Sequence, residues 1–188
     1  MKLPIFYVQA DLPEGVKHLV TCNAGERLSR GEKLPSELIM GVLLKPSEDF
    51  TSGVRPDNFG ANTTFVHFLQ QIIGKYAPDT VQLRVDAESI ENGTLYVVDE
   101  RAPRPEPDQQ WDVSNDDILG EFDVKNGFIV PGSYRPNCDY RVLSSRGFPQ
   151  LEDEMMEFLV WALDEPPEPE GDFIAGDWGM IGSGLVSN

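Results

Sequence analysis

The chain has 188 residues, 40% of them hydrophobic and 10% aromatic, enough apolar material for a real core and too much for general disorder. Thirty-two Asp and Glu face 15 Lys and Arg, a net charge of −17. That sign opposes direct binding to a nucleic-acid backbone and to an anionic membrane, and leaves basic proteins and cations as the favoured partners.

The start, Met1 to Val8, carries one positive charge and a short apolar run, so it does not read as a secretory leader, and no segment approaches the length of a membrane span. With two cysteines, Cys22 and Cys138, a disulfide framework is excluded, and a cytoplasmic location is the expectation. Ile5 to Gln9 predicts a strand, the Pro and Gly of residues 11–15 a turn, and Val16 to Thr21 a second strand. Residues 23–35 read as loop. The apolar run Leu38 to Leu44 fits a buried strand, and residues 46–61 read as loop again. A helix starts near Asn62, which offers a cap. Its apolar face is Phe65, Phe68, Leu69, Ile72, Ile73 and Tyr76, and Pro78 stops it.

Val81, Leu83 and Val85 alternate with polar residues, which predicts a strand. Asn92-Gly93 then predicts a hairpin turn into a strand at Thr94 to Val98. Arg101 to Gln110 holds three prolines at alternate positions and reads as an exposed loop. Phe122 and Val124, then Asn126-Gly127, then Phe128 and Val130 predict a hairpin with a type I′ turn, and Tyr140 to Leu143 a further short strand. A second helix is expected over Leu151 to Leu163, with Glu152, Asp153 and Glu154 in its first turn and Trp161 in the core. The expected class is α+β: a mainly antiparallel sheet with two amphipathic helices packed on one face. Residues 1–164 form the expected single domain. Residues 165–188 are acidic and Pro-rich, then apolar, either extended or docked back. No Lys or Arg follows Arg146, and residues 147–188 carry ten acids, so most of the surplus charge sits there.

Catalytic patterns are weak. His18 and Cys22 share a strand face but stand about 13 Å apart at ~3.3 Å per residue, beyond direct activation. Cys138 lies between Arg135 and Arg141, which would lower a thiol pKa, and His67 could reach it only through the fold. Cys138, His67, Arg135 and Arg141 are therefore the candidate set of a small enzyme with a site built from distant residues. Arg135, Arg141 and Arg146 read more simply as neutralising the neighbouring acidic helix. Asp116-Asp117 and residues 152–154 read as helix caps. No zinc or calcium pattern occurs, and the Gly-rich stretch 179–184 lacks the lysine of a phosphate loop, so no metal and no cofactor are expected.

The reading that remains is a non-catalytic interaction protein for a basic protein partner, such as an immunity-type inhibitor of a toxin or nuclease, with no direct contact to nucleic acid or membrane. Its expected contact residues are Trp111, Asp164, Glu165, Glu168, Glu170, Asp172 and Trp178. A structural or oligomeric subunit is the third alternative, and the sequence leaves the oligomeric state open.

Overall fold

The computed structural model describes residues 2–12, 15–45, 53–103 and 113–165. The prolines of residues 105–107 and nearly all of the acidic, apolar C-terminal stretch, including the Gly-rich segment, lie outside them. The class is α+β, with antiparallel sheets and four helices among the described residues. The described residues divide into two compact units, one within residues 2–68 and 160–165 and the other within Leu69–Leu159.

The first unit holds a four-stranded sheet of order β1-β2-β3-β4: Ile5–Leu12, Gly15–Cys22, Ile39–Leu43 and Phe59–Ala61. β1 and β2 form the predicted hairpin over eight residue pairs, from Ile5 opposite Cys22 to Leu12 opposite Gly15. β3 is the predicted buried strand, all five residues being buried. Leu19, Ile39 and Val42 pack together, with Val8 and Ala10 against them. Two polar loops around this sheet are tied down by asparagines. Asn58 accepts from the Lys45 amide at 2.8 Å and donates to the Lys45 and Gly53 carbonyls. Asn62 donates to the Ser36 and Ile39 carbonyls, both at 2.9 Å, and accepts from the Thr64 amide as the expected helix cap. The predicted loops at 23–35 and 46–61 are therefore partly ordered: Gly25–Ser29 is helix α1, and β4 lies in the second.

Helix α2, Thr63–Tyr76, follows with the predicted apolar face: Phe65, Phe68, Leu69, Ile72 and Ile73 are buried. The unit boundary falls within it, and a second boundary falls within α4, Asp153–Asp164.

In the second unit Val81–Ile90 is helix α3, correcting the expected strand. The alternation of Val81, Leu83 and Val85 is misleading, because Val81 and Val85 are exposed and the buried positions are Leu83 and Ala87 at helical spacing. The short helical turn Ala77–Asp79 precedes it. The Thr80 hydroxyl accepts from the Leu83 amide and caps the first turn. Strand β5, Gly93–Val98, therefore has no partner at residues 81–85. It pairs antiparallel with β6, Ile118–Lys125, from Gly93 opposite Val124 to Val98 opposite Ile118. Asn92 is used differently from the expected hairpin turn: its side chain accepts from the Asn126 amide at 3.0 Å. The Asn126-Gly127 hairpin is present, with φ of 53° and 77° at the two turn residues and β7, Phe128–Ile129, on its far side. β8, Arg135–Pro136, also pairs β6.

Tyr140 to Leu143 is not a strand. The segment is held by side-chain contacts described below, and Ser144 and Gly147 close a local bridge after it. Helix α4 is close to the predicted second helix, with Met155, Met156, Leu159, Ala162 and Leu163 buried. Trp161 is 56% exposed, correcting the expected core position, since it lies off the stripe those residues define.

The two thiols differ sharply. Cys22 is buried, its Sγ reaches the Leu38 carbonyl at 3.7 Å, and burial pushes its pKa up to about 12. Cys138 is exposed. Titration with a disulfide reagent at pH 8 is expected to modify one thiol at once and the second only in denaturant. Two thiols reacting at equal rates in the folded protein would contradict this placement.

Candidate functional site

The loop that reads as an exposed, proline-rich connection begins with a buried charge, Arg101. The side chains of Arg101 and Asp99 are fully inaccessible, and that of Asp117 is 1% exposed. Arg101 Nε donates to Asp117 Oδ1 at 2.7 Å and lies 3.3 Å from Asp99 Oδ2. Its Nη1 donates to the carbonyls of Val142 and Gly147, and its Nη2 to those of Asp116 and Arg141. All five guanidinium donors are thus used, four of them on backbone oxygens. Asp99 Oδ1 accepts from the Gln150 amide at 2.9 Å, and Asp99 Oδ2 from the Tyr140 hydroxyl at 3.0 Å. Burial raises the Asp99 pKa, with the Arg101 charge offsetting only part of it. At Asp117 burial pushes the same way, but hydrogen bonds from Arg146 and Arg101 outweigh it and the pKa falls below the usual carboxylate range. Asp117 is therefore the centre of a buried ion cluster, and the helix-cap reading of it is corrected.

This cluster fixes one end of β5 and the approach to α4, and between them the second unit opens a cleft of about 460 Å³. Apart from Asp99, which is committed to the ion cluster, its buried lining is apolar and includes Ile73 from α2, Leu83 from α3, Leu95 and Val97 from β5, Leu119 from β6 and Met155 from α4. Asp86, Glu100 and Glu152 supply charge around it, and no Lys, Arg or His lines it among the described residues. Glu152 is half-buried, and its Oε2 is buried without a hydrogen-bond partner. Burial raises its pKa, the charges of Glu154, Glu100 and Asp153 raise it further, and a hydrogen bond from the Glu154 backbone amide offsets part of the rise. Its neighbour Glu154 does act as a cap, on another helix than the one it begins: Oε2 accepts from the Val81 amide of α3 at 2.8 Å. Among the described residues no group of three or more His, Cys, Asp or Glu is placed to hold a metal ion. The cleft carboxylates surround the apolar surface and do not converge on one point.

The residues singled out from sequence scatter. Cys138 and Arg135 line a separate hollow of about 260 Å³ with Tyr96, Asn115 and Glu121. Arg135 is committed there to Glu121 at 2.8 Å and Asp123 at 2.7 Å, and its hydrogen bond holds the Asp123 pKa down. Arg141 lies 3.4 Å from Asp116, and Arg146 pairs with Asp117. The three arginines thus neutralise acids, but acids at β6 and its approach, not the acidic helix the sequence suggested. His67 belongs to the other unit, on α2. Asp164 accepts from the Asn23 side chain at 2.7 Å through Oδ1 and from Arg27 through its carbonyl, and Glu165 is exposed. Trp111, Glu168, Glu170, Asp172 and Trp178 lie outside the described residues. The cleft residues Asp86, Glu100 and Glu152 were not read from sequence as a set. The alternation of residues 81–86 places Asp86 on a strand, and nothing local links it to residues 100 and 152.

No family model, no curated protein and no solved structure matches this chain. Among the described residues no helix is long and apolar enough to cross a membrane.

Proposed function

We propose that this chain is a non-catalytic binding protein for a basic protein partner, of the kind an immunity-type inhibitor would be, and that the cleft of the Leu69–Leu159 unit is its contact site. One observation carries the reading: an apolar cleft whose charged lining side chains, among the described residues, are all carboxylates. Apolar lining supplies contact area, and carboxylates with no Lys, Arg or His beside them among the described lining residues select the sign of what enters. The overall charge of −17 acts at longer range, raising the encounter rate with a cationic surface. Asp164, Glu165, Glu168, Glu170 and Asp172 add their charge to that long-range attraction in the proposal.

The test uses two labelled probes of equal length, one alternating Lys or Arg with leucine and one carrying Glu in place of every cation. The basic probe is expected to bind saturably and to weaken steeply between 0.05 and 0.5 M salt. The triple variant Asp86→Asn, Glu100→Gln, Glu152→Gln is expected to weaken it at least about tenfold, roughly 1.4 kcal/mol. Neutralising Glu165, Glu168, Glu170 and Asp172 is expected to slow association and leave dissociation unchanged. Equal binding of the acidic and basic probes, or no binding of either, would overturn the proposal.

A further inference from the structure

We infer that the group this cleft anchors is a lysine side chain of the partner, flanked by aliphatic residues, with Glu152 receiving the ammonium; the inference rests on the reading of the preceding subsection. A lysine joins a four-methylene stem to a compact charge, and the cleft offers both halves of that match. Leu83, Leu95, Val97 and Met155 form buried apolar wall for the stem, and Glu152 stands among them as a half-buried carboxylate. A volume of about 460 Å³ exceeds one side chain and leaves room for apolar neighbours on the same segment.

The choice of lysine over arginine comes from one atom. Glu152 Oε2 is sealed from solvent, so an incoming group can meet Glu152 only through Oε1. A guanidinium gains its advantage from two parallel hydrogen bonds to both oxygens of a carboxylate, and that pairing is closed here. An ammonium needs a single oxygen and can turn its other donors to water or to the rim. The surrounding electrostatics favour the same guest. Glu100, Asp153 and Glu154 all press negative charge on Glu152, and no cationic side chain lines the cleft among the described residues. A divalent metal suits the arrangement poorly, since the carboxylates do not converge.

The test is an NMR or calorimetric titration of the full chain with capped nine-residue peptides that differ at one central position between leucines: lysine, arginine, Nε-acetyl-lysine or norleucine. The lysine peptide is expected to bind tightest, with arginine about tenfold weaker and acetyl-lysine and norleucine weaker still. Glu152→Gln is expected to bring the lysine peptide down to the norleucine level. Its thermal midpoint at pH 7 should equal or exceed that of the native chain, because a costly half-buried charge is removed without change of shape; this separates lost binding from lost folding. Arginine binding as well as or better than lysine, norleucine matching lysine, or undiminished lysine binding by the Glu152→Gln chain would each overturn the lysine anchor. If those outcomes occur while the longer basic probe still binds, the basic-partner reading stands and only the anchor falls. If the longer probe also fails, the reading falls with it.

Discussion

Replacing Arg101 by methionine is expected to destabilise the Leu69–Leu159 unit by about 3–5 kcal/mol, the cost of removing one partner from a buried charge cluster. The arginine leaves behind two carboxylates that are 0% and 1% exposed, and the carbonyls of Arg141 and Val142 lose their donor, while those of Asp116 and Gly147 keep the amides of Arg141 and Ser144. Asp117 retains Arg146 and Ser144, but Asp99 keeps no cation. Lysine is expected to rescue only part of the loss, since three donors on one nitrogen cannot span five acceptors spread around a planar fork.

The pH dependence carries a distinguishing sign. In the native chain the folded pKa of Asp117 is depressed, so its contribution is present above its unfolded value, near 3.9, and lost as pH falls through the folded one. In the Arg101→Met chain Asp99 loses the one charge that offsets its burial, so its raised folded pKa rises further and its protonation favours the folded state. The deficit of this chain should therefore be largest near pH 7 and shrink as pH falls toward 4. Urea denaturation at pH 7 and pH 5 checks both size and sign. A deficit below about 1 kcal/mol, or one that grows on acidification, would show that the cluster does not hold the loop.

Gly41→Ala is the corresponding test of the first unit. A Cβ built on Gly41 would stand 2.3 Å from the Gly60 carbonyl oxygen and 2.4 Å from Phe59 Cζ. The oxygen belongs to the backbone of the paired strand β4, and the ring covers the glycine from the same strand, so neither can be relieved by a flexible side-chain end. Overpacking of this kind costs about 1–3 kcal/mol, and each kcal/mol lowers the midpoint by about 2–4 °C for a chain of this length. Adding Phe59→Leu should recover part of the loss in a double-mutant cycle, because the ring contact goes and the carbonyl contact stays. A Gly41→Ala chain with an unchanged midpoint would mean that β3 and β4 do not approach as closely as described.

These two positions also show where local pattern stops being informative. Gly41 sits inside an apolar run that reads correctly as a strand, yet nothing in Leu38 to Leu44 says which residue must lack a side chain. That depends on Phe59 and Gly60, 18 and 19 residues later. Arg101 stands at the head of a proline-rich stretch whose composition argues exposure. It is buried because Asp117 and the carbonyls of Asp116, Arg141, Val142 and Gly147 close around it, contacts 15 to 46 residues away in sequence.

What the sequence determined by itself is set by short-range physics. The Ile5–Cys22 hairpin, the Asn62-capped helix, the Asn126-Gly127 turn and the helix ending at Asp164 follow from periodicity, caps and positive-φ residues within a few positions. Alternation over Val81, Leu83 and Val85 failed because three apolar residues fit either period; the Thr80 cap and the burial of Leu83 and Ala87 decided for helix. The charge of −17 likewise sets the sign of the long-range field. Where that charge meets apolar surface was decided only by tertiary structure. Asp86, Glu100 and Glu152 come from a helix, a turn and the approach to another helix, and sheet pairing of β5 with β6 brings the apolar wall between them. Local propensity acts over one or two turns of chain, whereas a cleft is made by segments whose proximity depends on the whole fold.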